Sequence, residues 1–129
     1  MKNQDLQVLL KTEERDALDL SQCCCLFSMA DLFANNPMAR FSMDLDTVQR
    51  VCNSFLIFVQ TTRLYFGDFF DKSIAPDIDE DARGALDRIV GLSEKGVKEV
   101  SAYHGDTMTL IVLTALIMRK VKQKIEGGA

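Results

Sequence analysis

The chain has 129 residues, 47% apolar, 26% charged and 8% aromatic, with two prolines and no tryptophan. That composition excludes a disordered or fibrous chain and bounds it to one soluble domain, 1–129, able to bury about two-thirds of its surface without staples. Fifteen Lys and Arg face nineteen Asp and Glu, a net charge of −4, which excludes a globally basic nucleic-acid binder.

The acidity is concentrated at the start, where residues 1–35 carry three basic and six acidic side chains. Leu6 to Leu10 is a short apolar stretch followed at once by Lys11, Glu13, Glu14, Arg15 and Asp16, unlike a secretory signal. Residues 1–11 extend the first helix or form a packing arm.

Helix formers continue over 12–35. Ala17, Leu20, Cys24 and Phe27 fall on one stripe, and Leu18, Cys25, Met29, Leu32 and Phe33 on a neighbouring one, the spacing of an amphipathic helix. Thr12 is its candidate cap, and Asn35-Asn36-Pro37 ends it, because proline pushes the preceding residue out of the α region. Cys23, Cys24 and Cys25 are consecutive and therefore point about 100° apart on a helix, a poor disulfide framework. With Cys52 and His104 as the available soft partners and no Cys-x2-Cys spacing, they read as small core or interface residues rather than a zinc site.

A second helix is predicted over 44–71, capped by Asp44 or Asp46. Val48, Val51, Cys52, Phe55, Phe58, Val59, Thr62, Tyr65, Phe66 and Phe69 follow a core-facing seam, while Leu56, Ile57, Leu64 and Phe70 lie off it. The element is apolar on more than one face. A third helix is predicted over 77–103, opened by Asp77 and Glu80 in the manner of a capping box. Ile78, Ala82, Ala85, Leu86, Ile89, Leu92, Val97 and Val100 share its apolar face, and Gly84, Gly91 and Gly96 weaken it. The fourth, over 106–126, is apolar nearly all round from Met108 to Met118, and Arg119, Lys120, Lys122 and Lys124 sit at its negative dipole end. The uninterrupted run Leu110–Met118 is nine residues, under half of the ~20 that cross a bilayer. A cytoplasmic protein with no transmembrane segment is expected.

Chemistry-bearing patterns are sparse. His104 and Asp106 resemble half of a general-base pair, but no nucleophile elbow accompanies them. Asp77, Asp79, Glu80 and Asp81 lack the glycine and terminal glutamate of a calcium loop. The basic set Arg119, Lys120, Lys122 and Lys124 is a candidate anion contact without interleaved aromatics to stack bases. No phosphate loop, dinucleotide fingerprint or paired catalytic carboxylates occur in the sequence. No catalytic residue, cofactor or metal is therefore expected, and the chain reads as a non-enzyme.

The expected architecture is all-α, an up-and-down four-helix bundle that dimerises through an apolar helix face. The second and fourth helices carry more apolar surface than one core shared by four helices needs, which assigns Phe55, Phe58, Phe66, Phe69, Leu110, Leu113 and Ile117 to a homodimer or partner interface. The expected function is a small interaction or regulatory protein of adaptor, chaperone or inhibitor type, binding a protein through that surface. Met29, Met38, Met43, Met108 and Met118 suit adaptable contacts. Two alternatives stand beside it: an apolar small-molecule or lipid-binding bundle with a pocket around Phe55, Phe58, Phe66, Met108 and Leu113, and a nucleic-acid-associated regulator using the basic C-terminal helix end.

Overall fold

Asp44 starts the first described helix. Its carboxylate accepts from the Thr47 amide at 2.8 Å and from the Thr47 hydroxyl at 2.7 Å, which satisfies one of the donors a helix start leaves open. The Thr47 hydroxyl, then its amide, hold the Asp44 carboxyl below the ordinary range. The computed structural model describes residues 43–127 together with Leu32, Asn35, Asn36 and Met38. The predicted arm 1–11, most of the predicted helix 12–35 and the Cys23–Cys25 triplet lie outside the described residues.

Three α-helices follow, and among the described residues all regular structure is helical, with no strand. The all-α reading holds at that level. Helix α1 is Leu45–Phe69, α2 is Ala75–Glu94 and α3 is His104–Glu126. A π-helical turn, Phe70–Ile74, joins α1 to α2, and a short 3-10 turn, Val100–Tyr103, leads into α3.

Two boundaries differ from the sequence reading, each for a local reason. The predicted helix 44–71 is broken at Gly67, whose φ of 32° and ψ of −110° are not helical. The chain then passes through the π turn into α2 with no loop between, the Ala75 amide donating to the Phe70 carbonyl. Asp77 consequently lies in the first turn of α2 and is not its cap; Pro76, at the helix start, leaves no amide there to satisfy. The predicted helix 77–103 stops at Glu94 instead. Gly96 takes φ 74°, its amide donates to the Ser93 carbonyl at 3.0 Å and the Val97 amide to the Leu92 carbonyl at 3.0 Å. These bonds close the C-terminus around a left-handed glycine.

Ion pairs mark the helix directions. Arg88 of α2 pairs with Asp106 near the start of α3 at 2.8 Å. Asp77, at the opposite end of α2, pairs with Lys120 near the end of α3. The two helices therefore run antiparallel, and α1, whose last residue Phe69 lies under Lys124 at 5.5 Å, runs parallel to α3. Both α1 and α2 pack against α3 but make few direct contacts with each other. Val51, Phe55, Phe58, Phe70, Ile74, Ile78, Leu110 and Ile117 are the largest fully buried side chains. Buried Thr62 and Thr114 donate back to the carbonyls of Phe58 and Leu110 at 2.8 and 2.9 Å, so their hydroxyls sit in the core without an open donor.

A candidate docking groove between two splayed helices

Because α1 and α2 lean on α3 rather than on each other, an open-sided groove of about 510 Å³ separates the first half of α1 from the end of α2. Its α1 wall is Leu45, Gln49, Cys52, Asn53 and Leu56, and its α2 wall Leu86, Val90, Ser93 and Glu94. Buried Val48, Ile89 and Tyr103 form the floor, and Gly96, Val97 and Lys98 close one end. The spacing along α1 explains its wall. Positions 45, 49, 52 and 56 recur every three to four residues and share one side of the helix, next to the core-facing side that carries Val48, Val51 and Phe55.

The end of the groove is pinned by one hydrogen bond. Tyr103, 3% exposed, donates its hydroxyl to the Val97 carbonyl at 2.7 Å, fixing the segment after α2 against the start of α3. Leu45, Leu56 and Val90 remain 37%, 45% and 52% exposed at the rim. Apolar side chains at a concave edge, over an apolar floor, form the type of surface that an amphipathic helix covers.

Cys52 stands half-buried in this wall, and burial pushes its thiol from an ordinary 9.0 up to about 11. Only the thiolate attacks alkylating agents, so peptide-resolved labelling of Cys52 with iodoacetamide is expected to accelerate about tenfold per pH unit from pH 8 to 10. A rate that levels off by pH 9 contradicts this environment. The folded thiol keeps its proton to higher pH than the unfolded one. Its contribution to stability is therefore complete below pH 9 and lost as pH rises from 9 towards about 11.

The residues nominated for a partner or dimer interface lie elsewhere. Phe55 and Phe58 are each 1% exposed, Leu110 and Ile117 0%, and Leu113 6%; Phe66 and Phe69 are half-buried against the same core. The chain's own helices cover Phe55, Phe58, Leu110, Leu113 and Ile117, which lie buried in one core. The apolar residues left outside are different ones, Leu45, Leu56, Leu64, Val90, Val112 and Ile125 among them. None of Phe55, Phe58, Phe66, Met108 and Leu113 lines the groove.

The basic residues near the end of α3 do not make one patch. Residues three and four apart share a side of a helix, so Lys120 and Lys124 lie on one side of α3 and Arg119 and Lys122 on another. Lys120 pairs with Asp77 and donates to the Ser73 carbonyl at 2.7 Å, while Lys124 lies over the Phe69 ring. Lys122 is 3.9 Å from Glu126, and Arg119 is exposed. Asp106 is engaged by Arg88, which ties the start of α3 to α2, and half-buried His104 stands two residues before it. Among the described residues no three His, Cys, Asp or Glu side chains converge as a metal site.

The stretch Val100–Glu126 is long and apolar enough, by length and composition only, to cross a membrane, a test that the core helix of a soluble protein also passes. The nine-residue run Leu110–Met118 is the most apolar part of that stretch, which also holds His104 and Asp106 before it and Arg119, Lys120, Lys122 and Lys124 after it. Comparison with known proteins returns no match: no family model fits the chain, and no curated protein or solved structure is similar to it.

Proposed function

We propose that this chain is a small non-enzymatic interaction protein of the cytoplasm, an adaptor or regulator that takes up an apolar helix of a protein partner in the groove between α1 and α2. A fourth helix lying there completes a four-helix bundle around the existing core. The single observation that carries the reading is the groove itself. Leu45, Leu56 and Val90 stay exposed at its rim over a floor of buried Val48, Ile89 and Tyr103, and a partner side chain that becomes fully buried there contributes about 1.5–3 kcal/mol. The polar groups along the walls, Gln49, Asn53 and Ser93, fix register more than they add affinity.

Affinity capture from the native extract tests this, with the full-length chain and its Leu56→Asp/Val90→Asp variant as baits at about 0.1 M and about 1 M salt. Leu56 and Val90 are 45% and 52% exposed, so neither substitution places a charge in the buried core. Wild type is expected to retain one polypeptide at both salt concentrations and the variant to lose it by about tenfold or more, because a carboxylate in an apolar contact goes unpaired. Equal capture by the variant, or recovery of nucleic acid that falls with salt, overturns the reading.

Pairing of two copies is the second reading. It is favoured by the outward side of α3, where Val112 is 59% exposed between half-buried Met108 and Leu116. Light scattering that gives a single-chain mass removes it.

A further inference from the structure

The backbone that turns α1 back towards α2 leaves the helical region at Gly67, which holds φ 32° and ψ −110°. Beyond it Phe69, Phe70 and Ala75 keep right-handed helical angles, with φ of −61°, −60° and −54°, and no loop separates the π turn Phe70–Ile74 from α2. The apolar spacing also runs on through Phe66, Phe69 and Phe70, as it does along one helix. Rotation about one residue therefore converts the bend into a single rod over 45–94, about 75 Å long.

Little holds the bend shut besides the core on which both helices lean, since α1 and α2 make few direct contacts with each other. Across Gly67, Arg63 pairs with Asp71 at 3.5 Å and lies 4.8 Å from the centre of the Phe70 ring. In a straight helix eight residues span about 12 Å, so this clasp exists only while the chain is bent. It is a weak one, because the two charged side chains are 49% and 61% exposed and such pairs contribute little. What secures α1 is its packing on α3, and that packing is the same whether α3 belongs to the same copy or to another.

We propose that Gly67 is a hinge at which two copies of this chain exchange α1: each chain straightens over 45–94 and lays its α1 on the other copy's α3. Short strained connections favour such an exchange, which rebuilds the buried α1–α3 contact between copies. Leu64, 71% exposed and three residues before the hinge, is an apolar side chain placed to be covered where the two rods pass each other. The exchange stands apart from the docking function proposed above, although the groove of an exchanged pair takes its α1 wall from one copy and its α2 wall from the other.

Light scattering of the full-length chain, refolded from urea at about 1 μM and at about 1 mM, tests the exchange. Wild type is expected to be single-chain after dilute refolding and partly two-chain after concentrated refolding. Gly67→Ala lowers the concentration of half-pairing by at least about tenfold, because alanine is strained in the bend and favourable in the straight helix. Gly91→Ala, at a position helical in both forms, leaves that concentration unchanged. Single-chain mass for both wild type and Gly67→Ala at the higher concentration overturns the proposal, and so does an equal shift for Gly91→Ala. Should Gly67→Ala not fold, the two wild-type refoldings decide alone. Val112→Asp separates this exchange from pairing through the outward side of α3: two-chain material that survives the substitution supports the hinge, and its loss overturns it. A last readout is entanglement. Two-chain samples with and without isotope label, mixed and weighed by native mass spectrometry, are expected to form mixed pairs only after unfolding and refolding, since release of α1 opens the core; mixed pairs within minutes in native buffer overturn the exchange.

Discussion

Phe58→Ala is expected to lower the unfolding free energy by about 3–5 kcal/mol, the range for removing a fully buried aromatic and leaving a cavity. Phe58 is 1% exposed, within the core cluster that contains Phe55, Leu110 and Ile117. The neighbours are held by three helices and cannot close the space without moving a whole element, so the cavity term persists. In a chain of this size the melting temperature should fall by roughly 10–20 °C. Leu64→Ala is the control: Leu64 is 71% exposed, and its truncation should change stability by about 0.5 kcal/mol or less. If Phe58 were an interface residue of a folded subunit, the order would reverse, with stability little changed and association lost. Urea unfolding of both variants decides between the two.

Gly67→Ala is expected to destabilise by about 1–3 kcal/mol through backbone strain alone. Gly67 holds φ 32° and ψ −110°, and a Cβ placed on it meets nothing within 4 Å. A steric account therefore predicts no cost, whereas a conformational account predicts a large one, because an L side chain rarely occupies that backbone region. The same substitution at Gly91, which has a negative φ in the helical part of α2 and also no atom within 4 Å of a built Cβ, should instead stabilise by up to about 1 kcal/mol. Opposite signs at two equally roomy glycines would establish that the α1–α2 reversal depends on the backbone at Gly67. Calorimetric melts of the pair give the comparison.

Much of the secondary structure was legible because local rules coincide with the fold along most of its length. The Asp44 cap, the apolar seam from Val48 to Phe66 and the body of α3 follow from capping preference and three-four spacing. The break at Gly67 was not legible. The apolar spacing continues without a fault from Phe66 through Phe69 and Phe70, and the reversal is imposed by the packing of Phe70 and Ile74 into the core. The stop at Glu94 did carry a signal: a glycine at position 96 followed by an apolar Val97 is the pattern of a left-handed helix end. It was overridden by Val97 and Val100 continuing the apolar face.

Periodicity also marks apolar stripes without telling which one turns inward. Phe55 and Leu56 are neighbours in sequence, yet the first is buried and the second 45% exposed. Assigning the larger aromatics to an interface reversed that order, whereas burial goes first to the side chains that remove the most area from water. The groove had no sequence signal at all, because it depends on how far α1 and α2 diverge above α3. That Arg119 and Lys122 fall on one side of α3 and Lys120 and Lys124 on another could have been read from the helical turn alone.

On the docking function proposed above, the gap between α1 and α2 is the working surface of the protein. Backbone amide shifts of the full-length chain, recorded as its captured partner is added, test it most directly. The expected result is that the largest changes fall in 45–56 and 86–98 while 108–122 stays still; changes confined to the outward side of α3, with the groove residues unmoved, would contradict it.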